Sequence, residues 1–249
     1  MNLFILAAGK GTRLYPLTKD RPKSLIELND GSTILERQIE VALESGAFDS
    51  IQIITGYLTQ MIEECIEKYS DRSVEVIYNP YYDVSNNLFS LWTAHYMLRE
   101  KDFMISNGDN IYRRGIYSRV LDKSPAETIQ ITVDVKDTYD DDDMKVTLNK
   151  LGHVTRVSKK ISPEAADRES LGLVLVRGPE HRRMFYDQLM KLVRDQEMMG
   201  RFWLEIFNFL ADAGQVIETC DVPEKDWAEI DFHPDIHMLQ KAITAKLFD

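Results

Sequence analysis

Apolar residues along this chain come in short bursts separated by polar, turn-forming stretches. Residues 3–8 are apolar throughout rather than alternating, which predicts a strand buried on both faces. After a long polar loop, Ser32-Thr33 precede Leu35, Ile39, Ala42 and Leu43 on one helical face, and Gly46 ends that helix. Residues 51–55 and 74–78 read as strands, with a helix over 58–69 between them. This βαβαβ order, with right-handed crossovers, predicts a doubly wound parallel sheet. A turn-rich stretch from 79 to 87 then opens onto a helix near Leu88, and a strand at 103–106 runs into Asn107-Gly108-Asp109-Asn110.

From about residue 114 the rhythm changes. One short helix precedes strands at 129–135, 144–148, 154–158 and 171–176, which read as a mixed sheet extension or a lid. Helices at 180–195 and 202–212, a strand at 216–220, the segment 227–231 and a last helix to about 246 complete the pattern. No repeat, low-complexity tract or linker divides the chain, so a single domain over 1–249 is expected. The glycine loop, the Asn-rich stretch and Gly108-Asp109 all follow strands. In an open α/β sheet that places them at the ligand crevice, beyond the carboxyl ends.

With 249 residues, 44% hydrophobic and 29% charged, the chain forms a core of ordinary size without staples. A formal charge of −11 argues against nucleic-acid or anionic-membrane partners, so an anionic ligand requires local cations or a metal. Cys65 and Cys220 lack metal-type spacing and read as reduced thiols. The first apolar run, about six residues, is too short for a signal-peptide core, and no segment reaches a membrane span of about eighteen. These features predict a cytoplasmic protein.

The most informative stretch is Leu6 to Lys23, LAAGKGTRLYPLTKDRPK. A strand feeds a glycine-rich turn whose amides can point at one anion, and Arg13 and Lys23 add full positive charges. A dinucleotide fingerprint would need glycine at 14, where Leu14 stands, and the P-loop pattern is absent. The stretch resembles the signature of the nucleotidyltransferase family that activates sugar phosphates and small phosphorylated alcohols, L-A-A-G-x-G-[ST]-R-[LM]-x-P-x-T-x-x-x-P-K, and every defined position matches. The resemblance implies an α/β fold, a mixed, mainly parallel doubly wound sheet flanked by helices with a small substrate-binding lid. Residues 1 to about 113 would bind the nucleotide and about 114–249 the acceptor. Arg13 and Lys23 would be catalytic, and Leu6, Ala8, Gly9, Gly11, Thr12 and Gly108 would contact the nucleotide.

Position alone reads Asp109 equally as a Mg²⁺ ligand at a strand end or as a turn aspartate. The family's Gly-Asp at this place, whose Asp binds metal, favours the first. Asp231 alone reads as the N-cap of the last helix, but the family carries a second metal-binding Asp before its closing helix, in a context like Trp227 to Asp231. The expected cofactor is Mg²⁺, as one ion or two. A phosphate or phosphonate monoester, with a second pKa near ~6, needs no general base, in keeping with a chain that shows no His or Ser triad.

For the acceptor, Lys145, Lys159 and Glu169 are candidates, each with a solvated alternative. The family's E-K-P motif reads Ser158-Lys159-Lys160 here, leaving Lys159 as its equivalent. Asn79, Tyr82, Asn86, Asn87 and Ser90 form a pattern resembling the branch typified by bacterial phosphocholine cytidylyltransferases and enzymes acting on aminoethylphosphonate. Asn79, Asn87 and Ser90 would then meet the cytosine edge of CTP, or else cap the helix near Leu88. The expected partners are CTP and a small phosphorylated acceptor, for a monomer or homodimer. The alternatives are a sugar-1-phosphate nucleotidyltransferase using UTP or dTTP, and a nucleotide-sensing protein without turnover. Three further features stay open. Asp140 to Asp143 read as a solvated loop or as an attractor of cations; His233 and His237 have helical spacing without a third ligand; and Trp92, Trp203 and Trp227 read as core or rim, one of them alternatively lining an ammonium pocket.

Overall fold

In the computed structural model, which describes residues 1–231 and His237, the first apolar run divides its side chains between two cores. Leu3, Ile5 and Ala7 enter one core and Phe4 the other, because successive residues of a strand face opposite sides. That strand is β1 (Asn2–Ala7), and its continuous apolar character follows from burial on both faces. The chain continues through α1 (Ile34–Ser45), β2 (Ser50–Thr55), α2 (Thr59–Ile66), β3 (Val74–Tyr78), α3 (Asn87–Thr93) and β4 (Phe103–Asn107). Next come β5 (Asn110–Tyr112), α4 (Ile116–Lys123), β6 (Thr128–Asp134), β7 (Lys145–Leu148), β8 (Val154–Ser158) and β9 (Arg168–Arg177). The described part ends with α5 (Pro179–Leu192), α6 (Ile206–Asp212), β10 (Glu218–Asp221) and β11 (Trp227–Glu229).

The main sheet has the order β10-β6-β9-β4-β1-β2-β3, with the β7–β8 hairpin attached to β9. From β4 to β3 all pairings are parallel, β9 is antiparallel to both β4 and β6, and β10 is parallel to β6. The expected mixed, mainly parallel, doubly wound sheet is therefore present. Helices α1, α2 and α4 pack Leu35, Ile39, Ile62 and Val120 on one face, while α3, α5 and α6 pack Leu88, Phe185 and Phe207 on the other. The start of α1 carries a full capping box: Glu36 N–H donates to Thr33 Oγ1 at 3.2 Å, and Thr33 N–H to Glu36 Oε2 at 2.6 Å.

Several boundaries differ from the pattern. The second helix shortens to α2 followed by a 3₁₀ turn, Glu67–Tyr69, and a 3₁₀ turn at Trp203–Glu205 precedes α6. Strand β9 begins at Arg168, so Glu169 lies inside it rather than ahead of it. The last helix and His233 lie outside the described residues. No helix among the described residues is long and apolar enough to cross a membrane.

The main feature absent from the pattern is the ribbon formed by β5 and β11, antiparallel strands of three residues each. Trp227 pairs with Tyr112 and Glu229 with Asn110, and Ile230 N–H then donates to the Asp109 carbonyl at 3.1 Å. A separate apolar cluster of Leu14, Ile26, Leu28, Ile34, Ile111 and Ile230 clamps the glycine loop against this ribbon. Trp227 ties the ribbon to the main sheet, its Nε1–H donating at 3.0 Å to the buried Asp134 on β6. Trp227→Phe removes that donor and leaves a buried carboxylate oxygen unpaired. We expect a loss of about 1–3 kcal/mol of stability, read as a lower urea midpoint at unchanged m. An unchanged midpoint would show the tether to be dispensable.

Candidate active site

The glycine loop is shaped by its own signature residues. Gly11 sits at φ +62, where a side chain is strained, and an added Cβ would lie 3.0 Å from Lys23 Cβ. Thr18 is buried and donates its hydroxyl to the Gly11 carbonyl at 2.7 Å, folding the segment back on itself. Pro22 then leads into a 3₁₀ turn that starts at Lys23. The motif's threonine and proline thereby bring Lys23 beside the loop. At the other strand end Gly108 allows close approach: its N–H donates to the Leu6 carbonyl at 3.0 Å, and a Cβ there would stand 2.5 Å from that oxygen.

The ribbon and the loop converge on one ionic cluster. Lys23 Nζ donates at 2.7 Å to Asp109 Oδ2 and at 2.7 Å to Asp231 Oδ1, and Arg13 reaches Asp231 Oδ2 at 3.0 Å. Burial alone would lower the Lys23 pKa, but Asp109 and Asp231 outweigh it and hold the ammonium protonated. Burial likewise opposes ionisation of Asp231, yet the charges of Lys23 and Arg13 bring its carboxyl below the ordinary value. Glu229, on β11, is the third acid, pushed well up by burial and then by its neighbours Asp109 and Asp231. Sequence reasoning did not assign Glu229 a role. The signal was its alternation with Asp231, which points both side chains the same way.

Ligand atoms of Asp109, Glu229 and Asp231 all lie within 4.8 Å of one another. Asp109 Oδ1 is buried with no hydrogen-bond partner among the described residues. An all-carboxylate donor set with an unpaired buried oxygen suits a hard divalent cation such as Mg²⁺.

These groups line a crevice of about 310 Å³ at the carboxyl ends of β1 and β4. Of the residues expected in the site, Leu6, Ala8, Gly9, Gly11, Thr12, Arg13, Lys23, Asn87, Ser90, Gly108, Asp109, Lys159 and Asp231 line it. Asn79 does not. It is fully buried, donates from Nδ2 to Ser90 Oγ at 3.0 Å and accepts from Tyr81 N–H, so it braces Ser90 rather than facing a ligand. Asn87 Oδ1 accepts from Trp203 N–H at 2.8 Å, and Asn107 Oδ1 accepts from Trp203 Nε1–H at 3.0 Å. The fully buried Trp203 thus joins the two halves of the crevice, in keeping with its reading as a core or rim residue.

Two acceptor candidates are corrected. Lys145 is fully buried, and its ammonium donates to the carbonyls of Asp140, Asp141 and Asp143 at 2.8, 3.0 and 3.2 Å. It supports the acidic loop from beneath and does not reach the crevice. Glu169 is also buried, pairs with Lys136 and is not among the residues that line the crevice. By contrast Lys159, just after β8, faces the crevice, with its Nζ 5.6 Å from the Phe202 ring centroid and 2.8 Å from Asp142 Oδ1. Asp142 also pairs with Arg13, so the acidic loop is not simply solvated.

Residues 3–157 match the nucleotidyl transferase family model, more than half of the chain, and the protein belongs to that family. It is a nucleotidyltransferase. It is 26% identical to the CTP:phosphoglutamine cytidylyltransferase of Campylobacter jejuni, across 96% of this chain and 98% of that one. It is 36% identical to the choline-phosphate cytidylyltransferase of Streptococcus pneumoniae over 126 residues, about half of each chain. The solved structure of the CTP:phosphocholine cytidylyltransferase from Streptococcus pneumoniae superposes with a TM-score of 0.78, at 22% identity, over 97% of this chain and 98% of that one. That likeness is one of fold.

The buried Glu169 generates a pH expectation. Burial, only partly offset by Lys136, raises its pKa from 4.5 to about 7. Between these values the folded chain holds a proton that the unfolded chain has released, so this group makes stability fall as pH rises through that window. Glu169→Gln should flatten the decline in urea midpoint between about pH 4.5 and pH 7. An identical pH profile in the variant would place the titration elsewhere.

Proposed function

We propose that this nucleotidyltransferase couples CTP to a small phosphorylated or phosphonate amino compound, giving a CMP-linked product and pyrophosphate. The observation that carries the reading is the convergence in one crevice of the glycine loop, Arg13, Lys23 and the acidic trio, with Lys159 joined to Arg13 through Asp142. The choice of CTP is supported by the cytidylyltransferase relatives, one matched along nearly its whole length. In this reading residues 1 to about 113 hold the nucleotide and the remainder holds the acceptor.

The reaction is an in-line displacement. An ionised oxygen of the acceptor's phosphoryl group forms a bond to the α-phosphorus, and the bond from that phosphorus to the bridging oxygen breaks, its electron pair leaving on pyrophosphate. No proton need be removed from an acceptor already ionised at neutral pH. The catalytic requirements are alignment and neutralisation of charge. Amides of Gly9 to Thr12 cradle the triphosphate; Lys23, between Asp109 and Asp231, stabilises the negative charge that builds on the leaving pyrophosphate, and Arg13, which shares Asp142 with Lys159, meets the incoming phosphoryl group. Asp109, Glu229 and Asp231 would hold Mg²⁺, which when bound supplies further neutralisation at the phosphate oxygens. Ser90, braced by Asn79, and Asn87 line the crevice and would meet the cytosine edge.

A pyrophosphate-release assay over four nucleoside triphosphates tests the reading, with phosphocholine, phosphoethanolamine, aminoethylphosphonate, phosphorylated amino-acid amides and sugar 1-phosphates as acceptors. CTP with an amino-compound phosphate is the expected pair; turnover only with a sugar 1-phosphate overturns it. In the active pair, Asp109→Asn should cut turnover about 100-fold or more and weaken Mn²⁺ binding measured by electron paramagnetic resonance. Retention of both would remove Asp109 from the metal site.

A further inference from the structure

Asp142 engages two cations of the crevice at once, Arg13 and Lys159. Its Oδ1 accepts from Lys159 Nζ at 2.8 Å, and its Oδ2 pairs with Arg13. The loop carrying it is pinned from within. Lys145 ties three of its carbonyls, Asp143 Oδ2 accepts from Asp140 N–H at 2.9 Å, and Lys136 pairs with Asp143 at 3.2 Å. Among residues 140–143 only Asp142 lines the crevice. A carboxylate bridging two cations through its two oxygens presents them with the same pattern as two oxygens of a phosphoryl group.

We propose that Asp142 is a built-in competitor for the acceptor's phosphoryl or phosphonyl group: Arg13 and Lys159 form the cradle for that group, and Asp142 yields them when it binds. This rests on the reading of the crevice as an acceptor site. The exchange sets a threshold for entry. A neutral alcohol cannot displace the carboxylate, a monoanion replaces one charge with one, and a dianionic monoester gains a charge in the exchange. The pinned backbone confines the change to a side-chain rotation of Asp142, whose side chain is 44% exposed. The arrangement therefore selects phosphorylated acceptors over their unphosphorylated parents.

Calorimetric titration with inorganic phosphate at fixed ionic strength tests this without requiring turnover. Asp142→Asn and Asp142→Ala should bind phosphate about three- to tenfold more tightly than the parent chain. Asp141→Asn removes the same charge one residue away, from an exposed side chain, and should change affinity less than about twofold. Adding Lys159→Ala to Asp142→Asn should abolish the gain. Equal or weaker binding by both Asp142 variants, or an equal gain in Asp141→Asn, overturns the proposal. So does weaker phosphoethanolamine binding in Asp142→Ala with unchanged phosphate binding, which would make Asp142 an ammonium ligand. If the Asp142 variants gain phosphate affinity and no nucleotide–acceptor pair turns over, the cradle stands and the transfer reading falls.

Discussion

The ammonium of Lys23, held between Asp109 and Asp231, is the interaction on which the site depends. It joins a loop near the start of the chain to carboxylates 86 and 208 residues further on. Such a cluster is costly to desolvate unless each charge has its partner, and here each carboxylate shares the ammonium. Two carboxylates this close repel; the lysine between them makes their juxtaposition tolerable in the folded chain. The same pairing keeps Lys23 charged despite burial, which is the state needed to meet a polyphosphate.

The fold supplies the approach geometry from two directions. Parallel strands β1 and β4 end side by side, so the glycine loop and Gly108-Asp109 emerge at one edge. The short β5–β11 ribbon then carries Glu229 and Asp231 back to the same point, fastened by Trp227 to Asp134 and by the cluster around Leu14 and Ile230. Neither fastening is itself part of the ionic cluster: Trp227 and Asp134 lie outside the crevice lining, and Leu14 and Ile230 are apolar neighbours of Arg13, Glu229 and Asp231. They act by fixing the backbone that presents those groups, which is why apolar and tethering residues matter as much as the ions.

Charge balance in the crevice explains how so acidic a chain handles anions. Arg13, Lys23 and Lys159 each rest on carboxylates rather than standing bare, and Asp142 links the first and last of them. Among the described lining residues these three cations face four carboxylates, Asp109, Asp142, Glu229 and Asp231, so the crevice has no excess of positive charge by itself, and an anion would gain its cations by exchange with a carboxylate or through a bound divalent cation. The paired state also avoids the self-repulsion of three cations held close together.

What the sequence determined by itself was local. The unbroken apolar run of β1 announced a doubly buried strand, the Ser32-Thr33 cap announced α1, and the spacing from Gly9 to Lys23 announced a phosphate loop, because each depends on neighbours within a few turns of chain. The tertiary structure decided what depends on distant partners. Lys145 and Glu169 looked available to an acceptor, yet burial under the acidic loop and against Lys136 took both from the crevice. Asn79 looked like a base reader and is a brace for Ser90. Asp142 became a site residue only when a pinned loop delivered it, and Glu229 only when a three-residue ribbon did, its one local trace being the alternation with Asp231. A side chain's type is written in the chain, but its partner and its exposure are set by where the remaining strands pack.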